Sequence, residues 1–126
     1  MSALLLQDDL DLFLLRFGHM PKIDLRVTDL TRWHIHQCDP YAFTSGPVSE
    51  FHGETTLWPE TPLFVRQRHL WPSQVERYAA MMSLGDTIAA VQVTDVEPGG
   101  LWHINGLHRM VAARLLGRTL TAEIWR

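Results

Sequence analysis

Cysteine is nearly absent from this sequence, which holds a single thiol, Cys38, in 126 residues. One cysteine cannot form an internal disulfide, so a small scaffold held together by disulfides is excluded and a reducing compartment is expected. Long apolar runs without charge are also lacking, because three aspartates interrupt the opening stretch MSALLLQDDLDLFLLRFG. No basic-then-apolar leader opens the chain. We therefore predict a cytoplasmic protein without a membrane partner.

Lysine is equally scarce, with one lysine against ten arginines. The net charge of −3 argues against a protein that mainly coats nucleic acid, and sequence-specific binding of DNA is not expected. Arginine suits planar, bidentate contacts with phosphate or carboxylate, although a GC-rich coding bias explains the excess equally well. A hydrophobic share of 46% and a charged share of 20% are typical of one globular domain, which we assign to residues 1–126.

Periodicity predicts an α+β fold, because helical and strand patterns alternate along the chain. The stretch 1–20 is expected to form an N-terminal helix, whose periodic part, 3–17, stops before a glycine. Residues 31–69 are expected to form an irregular insertion in which only 63–66 is typical of a strand, and 70–126 the core region. The other predicted elements are a strand (22–30), a helix with a Ser73–Glu76 capping box (73–85), a hairpin (88–104), a helix (106–116) and a final strand (120–125).

The stretch WHINGLHRMVAAR (102–114) changes in its middle from strand alternation to helical periodicity. Asn105 is a good residue to cap the helix, and Gly106 lets a ligand approach the backbone closely. His108 and Arg109 fall in the first turn, where positive side chains oppose the helix dipole. A bound anion would reverse that penalty, because backbone N–H groups, imidazole and guanidinium would converge on it. The pattern predicts a phosphate site; the alternative is a capped helix whose Arg109 pairs with a carboxylate.

The motif Asn105-Gly106-Leu107-His108-Arg109, followed by MVAARLLG and a final strand, resembles the signature of the ParB/sulfiredoxin superfamily, usually Asp-Gly-x-His-Arg before an alanine-rich helix. The resemblance covers residues 70–126, and 22–30 resembles the family's entry strand. It implies a small mixed sheet with helices packed against it. The implied ligand is a nucleoside triphosphate, ATP or CTP, with Mg²⁺. The residues that the resemblance assigns to nucleotide binding are Asn105, Gly106, Leu107, His108, Arg109, Gln74 and Arg77.

Differences between this sequence and the family's pattern reduce the number of reactions that the resemblance predicts. Leu107 stands where sulfiredoxins carry a reactive cysteine, so reduction of a sulfinic acid is not expected. Asn105 replaces the usual aspartate. This replacement keeps a helix cap but removes a negative charge beside the phosphates. The stretch TRWH (31–34) lacks the glutamate that a related serine kinase places there. No helix-turn-helix is expected after the last strand, in contrast to partition proteins, and no catalytic residue is assigned.

The function that the sequence favours is nucleotide binding, with slow magnesium-dependent hydrolysis or phosphotransfer as its enzymatic extension. A rival from another class is a non-enzymatic interaction protein, of a phage or mobile-element type, that keeps the fold. It would bind a protein partner through the N-terminal helix and the aromatic segment 31–71. In that segment, Trp58 and Trp71 could form a stacking wall for a base or a partner. A third hypothesis, DNA binding or a nuclease, follows from the family's labels more than from the residues.

The segment HIHQC (34–38) is the remaining cluster of interest. His34, His36 and Cys38 would share one face of an extended chain, with His52 or Glu54 as a further ligand. Without paired Cys-x-x-Cys spacing this pattern is weak, and no metal site is assigned. His69 and His103 are expected to be structural or to line the pocket. Arg66 and Arg68 either add positive charge to the same site or, as the pattern favours, lie on the solvated surface.

Overall fold

The computed structural model describes residues 8–28, 30–38, 48–97 and 99–126. Helices and strands alternate within these ranges, which confirms the α+β class. The start of the predicted N-terminal helix and the middle of the predicted insertion lie outside the described residues. The helices are α1 (Asp8–Phe17), α2 (Pro72–Ser83) and α3 (Leu107–Leu115), with a 3-10 turn at Thr31–Trp33. The strands are β1 (Ile23–Asp24), β2 (Ile35–Gln37), β3 (Phe51–Leu57), β4 (Leu63–Val65), β5 (His69–Leu70), β6 (Val91–Thr94), β7 (Leu101–Asn105) and β8 (Leu120–Trp125).

Most of these strands form one mixed sheet in the order β2-β4-β7-β6-β8-β3. Strand β7 lies inside the sheet, parallel to β4 on one side and antiparallel to β6 on the other. The pairs β2–β4 and β6–β8 are parallel, whereas β3 and β8 are antiparallel. The short strands β1 and β5 pair separately. Because β7 leads directly into α3, the sheet fixes where that helix begins.

Helix α3 is the central helix of the core. Every residue from Met110 to Leu116 is at most 9% exposed, and the apolar side of α2 packs against this helix. Ala112 and Ala113 let the neighbouring elements approach α3 closely. The hairpin predicted over 88–104 is confirmed as β6 and β7, and the helix and strand predicted after it are confirmed as α3 and β8.

The strand predicted over 22–30 is wrong beyond its first residues. Only Ile23–Asp24 is extended, and the chain then turns. The Asp24 carboxylate accepts a hydrogen bond from the Arg26 backbone N–H at 2.9 Å, and the Val27 N–H donates to the Asp24 carbonyl at 3.2 Å. An aspartate side chain that bonds its own backbone competes with strand pairing in this way. As a result, Val27 is 83% exposed rather than half-buried.

The prediction of an irregular insertion at 31–69 is also wrong for the described parts of that segment. They supply four strands and the 3-10 turn, and two of the strands, β2 and β3, form the edges of the large sheet. Pro59 and Pro62 lie between β3 and β4, whereas Gly53 lies within β3, where the pairing register with β8 shifts. The strand predicted at 63–66 is confirmed as β4. Because β2 and β5 have only three and two residues, they are too short for alternation to be visible in the sequence.

A buried arginine on α3 anchors this segment to the core. The side chain of Arg114 is almost fully buried, and burial lowers its pKa to about 10, so that it is still positively charged at neutral pH. Its guanidinium donates hydrogen bonds to the backbone carbonyls of Trp33 (3.0 Å), His34 (3.0 Å), Trp58 (3.4 Å) and Thr61 (2.6 Å). One side chain therefore closes two loops that are distant in sequence.

The predicted capping box at the start of α2 is wrong. The helix begins at Pro72, with Trp71 in the N-cap position, and no side chain caps it. Proline has a fixed φ that suits the first helical position, so the helix begins two residues earlier than a Ser73 N-cap predicts.

Candidate functional site

A pocket of about 170 Å³ opens at the N-terminus of α3. It lies where the end of β7, the start of α3, the loop after β4 and helix α2 meet. All five residues of the motif that resembles the superfamily signature contribute to its wall. The lining residues are Gln67, Tyr78, His103, Ile104, Asn105, Gly106, Leu107, His108 and Arg109.

Gly106 makes the sharp change from strand to helix possible. It occupies the N-cap position of α3 with a φ of 99°, which side chains with a Cβ rarely adopt. A Cβ at this position would lie 2.7 Å from Cγ1 of Val91 and 2.8 Å from Nη2 of Arg109. Asn105, predicted to be the cap, instead stays in β7, because its pairing with Gln92 of β6 holds it in the sheet. Glycine is thus required here for both conformation and space.

Arg109 reaches across the start of the helix and, among the described residues, bonds to backbone carbonyls rather than to a carboxylate. Its Nη1 donates to the backbone carbonyls of Ala89 at 2.9 Å and of Ala90 at 3.1 Å. These contacts differ from the carboxylate pairing that the sequence left open as an alternative. Carbonyl oxygens fix the position of a guanidinium but do not cancel its charge. The pocket therefore has an oriented positive charge beside Gly106.

His108 connects the two helices. Its Nε2 accepts a hydrogen bond from the Trp71 backbone N–H at 3.0 Å, and the two rings lie 5.9 Å apart. An accepting Nε2 carries no proton, so the neutral imidazole has its hydrogen on Nδ1. Burial also lowers the pKa of His108. The expectation that His108 adds positive charge to the first turn is therefore corrected: it offers one neutral N–H and supports the start of α2.

His103 forms the buried floor of the pocket. The residue is 8% exposed, and the structure gives its imidazole no hydrogen bond to any residue that it describes. Burial lowers its pKa to about 4, with further contributions from the nearby charges of Arg66, His108 and Arg109. His103 is accordingly neutral at pH 7 and lies in positive surroundings. The sequence suggested only that it was structural or near the pocket.

The electrostatic character of the pocket follows from these neighbours. None of its lining residues, all within the described part of the chain, is acidic. The charges of Arg66 and Arg109 act on its interior, and the start of α3 contributes unpaired N–H groups and a partial positive charge. Arg68 and His69 lie elsewhere: Arg68 donates to Asp24 at 3.0 Å, and His69 pairs with Asp24 in the small sheet. This arrangement favours an anionic ligand.

Helix α2 reaches the pocket through a residue that the sequence did not select. Tyr78 lines it, whereas Gln74 and Arg77 are exposed and outside the lining. The Arg77 guanidinium lies 5.0 Å from the centre of the Tyr78 ring, next to the pocket rather than in it. Gln67 joins the site because β4 pairs with β7. Tyr78 fits the apolar period of α2, which is why its sequence position suggested only packing.

Trp58 and Trp71 contact residues at opposite ends of α3. The Trp71 backbone bonds to His108 in the first turn of α3, while the Trp58 carbonyl accepts from Arg114 in the last turn. Six residues of helix separate these contacts, a rise of about 9 Å. Both tryptophans are partly exposed, at 54% and 43%, so each remains available separately to a ligand or a partner.

The HIHQC segment is used for packing. The ring of His36 contacts Phe64 with the centres 5.5 Å apart, and the Cys38 Sγ lies 3.6 Å from the His36 carbonyl. Burial raises the pKa of the Cys38 thiol, which disfavours the reactive thiolate. No three His, Cys, Asp or Glu side chains come together as a metal site in the ranges that the structure describes.

Comparison of the chain with protein-family models, with curated proteins and with solved structures finds no match. The likeness to the ParB/sulfiredoxin superfamily therefore rests on the motif and its context alone. In the described residues, no helix is long and apolar enough to cross a membrane.

Proposed function

We propose that this chain binds the phosphate groups of a nucleotide at the N-terminus of α3, in a domain similar to those of the ParB/sulfiredoxin superfamily. The observation that carries the proposal is the composition of the pocket wall. Helix N–H groups, an oriented guanidinium and two neutral imidazoles surround the space, and no acidic residue from the described ranges lines it. Such donor-rich helix starts are suited to phosphate.

The size of the pocket limits how much of a nucleotide it encloses. Its volume of about 170 Å³ is below the range of roughly 300–1,000 Å³ that is typical of pockets for whole drug-sized ligands. We therefore assign the phosphates to the interior and the nucleoside to the surface outside. Arg77 beside Tyr78, and Gln74 earlier on α2, are then candidates to contact the nucleoside rather than the phosphates.

The donor set does not fit a magnesium ion held by the protein. Protein-bound Mg²⁺ is usually held by one or two carboxylates together with substrate phosphates and water. Asn105 stands where the superfamily signature has aspartate, and the lining residues provide no other carboxylate. Hydrolysis and phosphotransfer remain predictions of the resemblance, and the proposal concerns binding.

A thermal-shift panel tests the proposed function. Nucleoside triphosphates and diphosphates are added with and without Mg²⁺, and the corresponding nucleosides, which carry no phosphate, serve as controls. A ligand at about 100 times its Kd stabilises the folded state by about 2.7 kcal/mol, which raises Tm by several degrees. We expect this shift for phosphorylated ligands and none for nucleosides. A flat panel with a cooperatively folding protein would contradict the proposal.

An apolar groove favours the second candidate, a non-enzymatic interaction protein. Leu12 and Leu15 of α1 are 44% and 80% exposed, and they line a groove of about 450 Å³ with Trp33. Arg16 and Arg32 complete its wall. Exposed leucines at a groove are typical of a surface that binds another protein. A flat nucleotide panel would make this groove the first surface to investigate.

A further inference from the structure

The buried imidazole of His103 needs an explanation that packing alone does not provide. Strand β7 is an interior strand, and His103 is held in register opposite Val93 of β6. Its side chain is more than nine-tenths buried, lines the pocket, and has no hydrogen-bond partner among the residues that the structure describes. The ring nitrogens of His103 are not among the fully buried side-chain atoms without a partner in the described residues, so the polar edge of the ring is open to the pocket. A polar group that faces a pocket in this way is available to a ligand.

The groups around His103 define the ligand's charge. Arg66, in the loop after β4, and Arg109, on α3, are positive, and His108 is the other titratable imidazole nearby. Helix α2 contributes the neutral Tyr78, and the loop after β4 contributes Gln67. The start of α3 adds its partial positive charge. These surroundings oppose a proton on His103 in the free protein, and a divalent anion among the same groups would reverse that opposition.

We propose that His103 is a direct ligand of the anion in this pocket and takes up one proton from solvent as a divalent anion binds. The proton returns to solvent when the anion leaves, and no covalent bond is made or broken. This inference rests on the proposed function, because it requires that the pocket bind an anion. It adds a regulatory property, since the affinity of the pocket then depends on pH.

The sign of this dependence follows from linkage. The imidazolium form binds a divalent anion more tightly than the neutral form does, so affinity rises as the pH falls. The rise begins at the pKa of His103 in the complex and levels off near its pKa in the free protein, about 4. Between these limits, affinity increases by up to about tenfold for each pH unit.

Sulfate is the appropriate probe, because its own charge does not change between about pH 5 and pH 8. Isothermal titration calorimetry of the intact chain with sulfate, at several pH values in this range, measures the slope. Repeating the titration in buffers with different ionisation enthalpies counts the protons taken up. We expect stronger binding at lower pH and net proton uptake. In parallel, a pH titration followed by NMR of the imidazole Cε1–H signals should show that the titration midpoint of His103 is higher when sulfate is present.

Two matched variants assign the proton. His103→Gln keeps a polar side chain that does not titrate, and it should bind sulfate more weakly and with little dependence on pH. His108→Asn removes the other nearby imidazole and should retain most of the slope. If His103→Gln fails to fold, the NMR titration of the unsubstituted chain still identifies the residue that becomes protonated.

The outcomes separate this inference from the proposed function. Sulfate and nucleotides that bind with no pH dependence, or with a slope that His103→Gln retains, would overturn the role of His103 and leave phosphate binding intact. Failure of every anion to bind would remove the proposed function itself. An unchanged NMR midpoint of His103 in sulfate-saturated protein would also overturn the inference.

Discussion

Arg109 and Arg114 lie on the same helix, and both donate to backbone carbonyls, yet their surroundings are opposite. Arg114 is buried, bonds to four carbonyls of two loops, and lies near the C-terminus of α3, where a positive charge is favourable. Arg109 bonds to two carbonyls and lies at the N-terminus, where a positive charge is unfavourable. The position along the helix and the number of partners thus distinguish a structural arginine from one suited to bind a ligand.

Substitution of Arg114 should have the largest effect on stability. Arg114→Ala removes the side-chain donor of the Trp33 and Thr61 carbonyls and one of the two donors of the His34 carbonyl, which also accepts from the Leu63 N–H, in a buried to partly buried region. We expect the free energy of unfolding to fall by about 3–5 kcal/mol, as measured by urea denaturation. Arg26→Ala, at an exposed arginine, is the control and should change stability by about 0.5 kcal/mol or less. A stable Arg114→Ala protein would break the distinction between the two arginines.

The sequence could predict one end of this helix much better than the other. The motif at residues 105–109 carries local signals: a strand pattern, a glycine that allows close approach, and a helix with a recognisable first turn. The structure brings all five residues of this motif to the wall of one pocket, and their role in binding stays a prediction. By contrast, the role of Arg114 depends on loops more than 50 residues away in the chain. No pattern near Arg114 reports those partners.

The errors at the site have a similar origin. His103, Gln67 and Tyr78 enter the pocket through strand pairing and helix packing, neither of which is visible in a single sequence. The charge of His108 was misjudged because its partner, the Trp71 N–H, is 37 residues away. In the fold, the strand predicted over 22–30 failed because an aspartate side chain competed for the backbone. Local periodicity predicts elements well, whereas tertiary contacts decide protonation and short strands.

Lowering the pH should destabilise the folded protein through the buried His103 at the pocket end of α3. Arg114, near the other end of the helix, stays charged. In the unfolded chain His103 titrates near its ordinary pKa of 6.5, but in the folded chain only near 4. Between these values the unfolded state binds more protons, so stability falls as the pH falls, by about 3 kcal/mol in total. His108, whose pKa is also lowered, acts in the same direction. Denaturation curves from about pH 7 to pH 4 measure this loss, and His103→Gln should abolish most of it. An equal loss in that variant would assign the effect elsewhere.

Substitution of Arg109 should affect binding more than folding. Arg109→Ala removes a charged donor from the pocket and should weaken nucleotide binding by about 1.5–3 kcal/mol, roughly ten- to a hundredfold. Its two carbonyl contacts are partly exposed, and their loss is offset by removing a positive charge from the helix start. We therefore expect stability to change by about 1 kcal/mol or less. Calorimetric affinity and Tm, measured on the same variant, check both parts. A destabilised protein with unchanged affinity would make Arg109 a structural residue like Arg114.

Substitution of two glycines with positive φ distinguishes the cost of backbone strain from the cost of steric contact with neighbouring atoms. Gly106→Ala should destabilise the protein by about 2–3 kcal/mol, because its Cβ would meet Val91 and Arg109. Gly85→Ala, with a φ of 81° and nothing within 4 Å of the new Cβ, should lose only about 1 kcal/mol. Thermal unfolding of both variants gives the difference, about 1–2 kcal/mol, as the contribution of close packing at the pocket. Equal losses would mean that the start of α3 can yield to make room.

The smallest expected effect concerns His108, which combines a structural contact with a place in the pocket wall. His108→Ala removes the acceptor of the Trp71 N–H, and because that bond is at the surface we expect a loss of about 0.5–1 kcal/mol in stability. Nucleotide binding should weaken less than in Arg109→Ala, since a neutral imidazole bonded through Nε2 has only its Nδ1–H to offer a phosphate. His19→Ala, at an exposed histidine outside the pocket, controls for the loss of an imidazole. An affinity loss equal to that of Arg109→Ala, without a change in Tm, would show instead that His108 turns away from Trp71 to bind the ligand. In that case the first turn of α3 would contain two ligand-binding residues and no hydrogen bond to α2. The two ends of α3 would then differ more clearly, with ligand binding at the N-terminus and a structural arginine near the C-terminus.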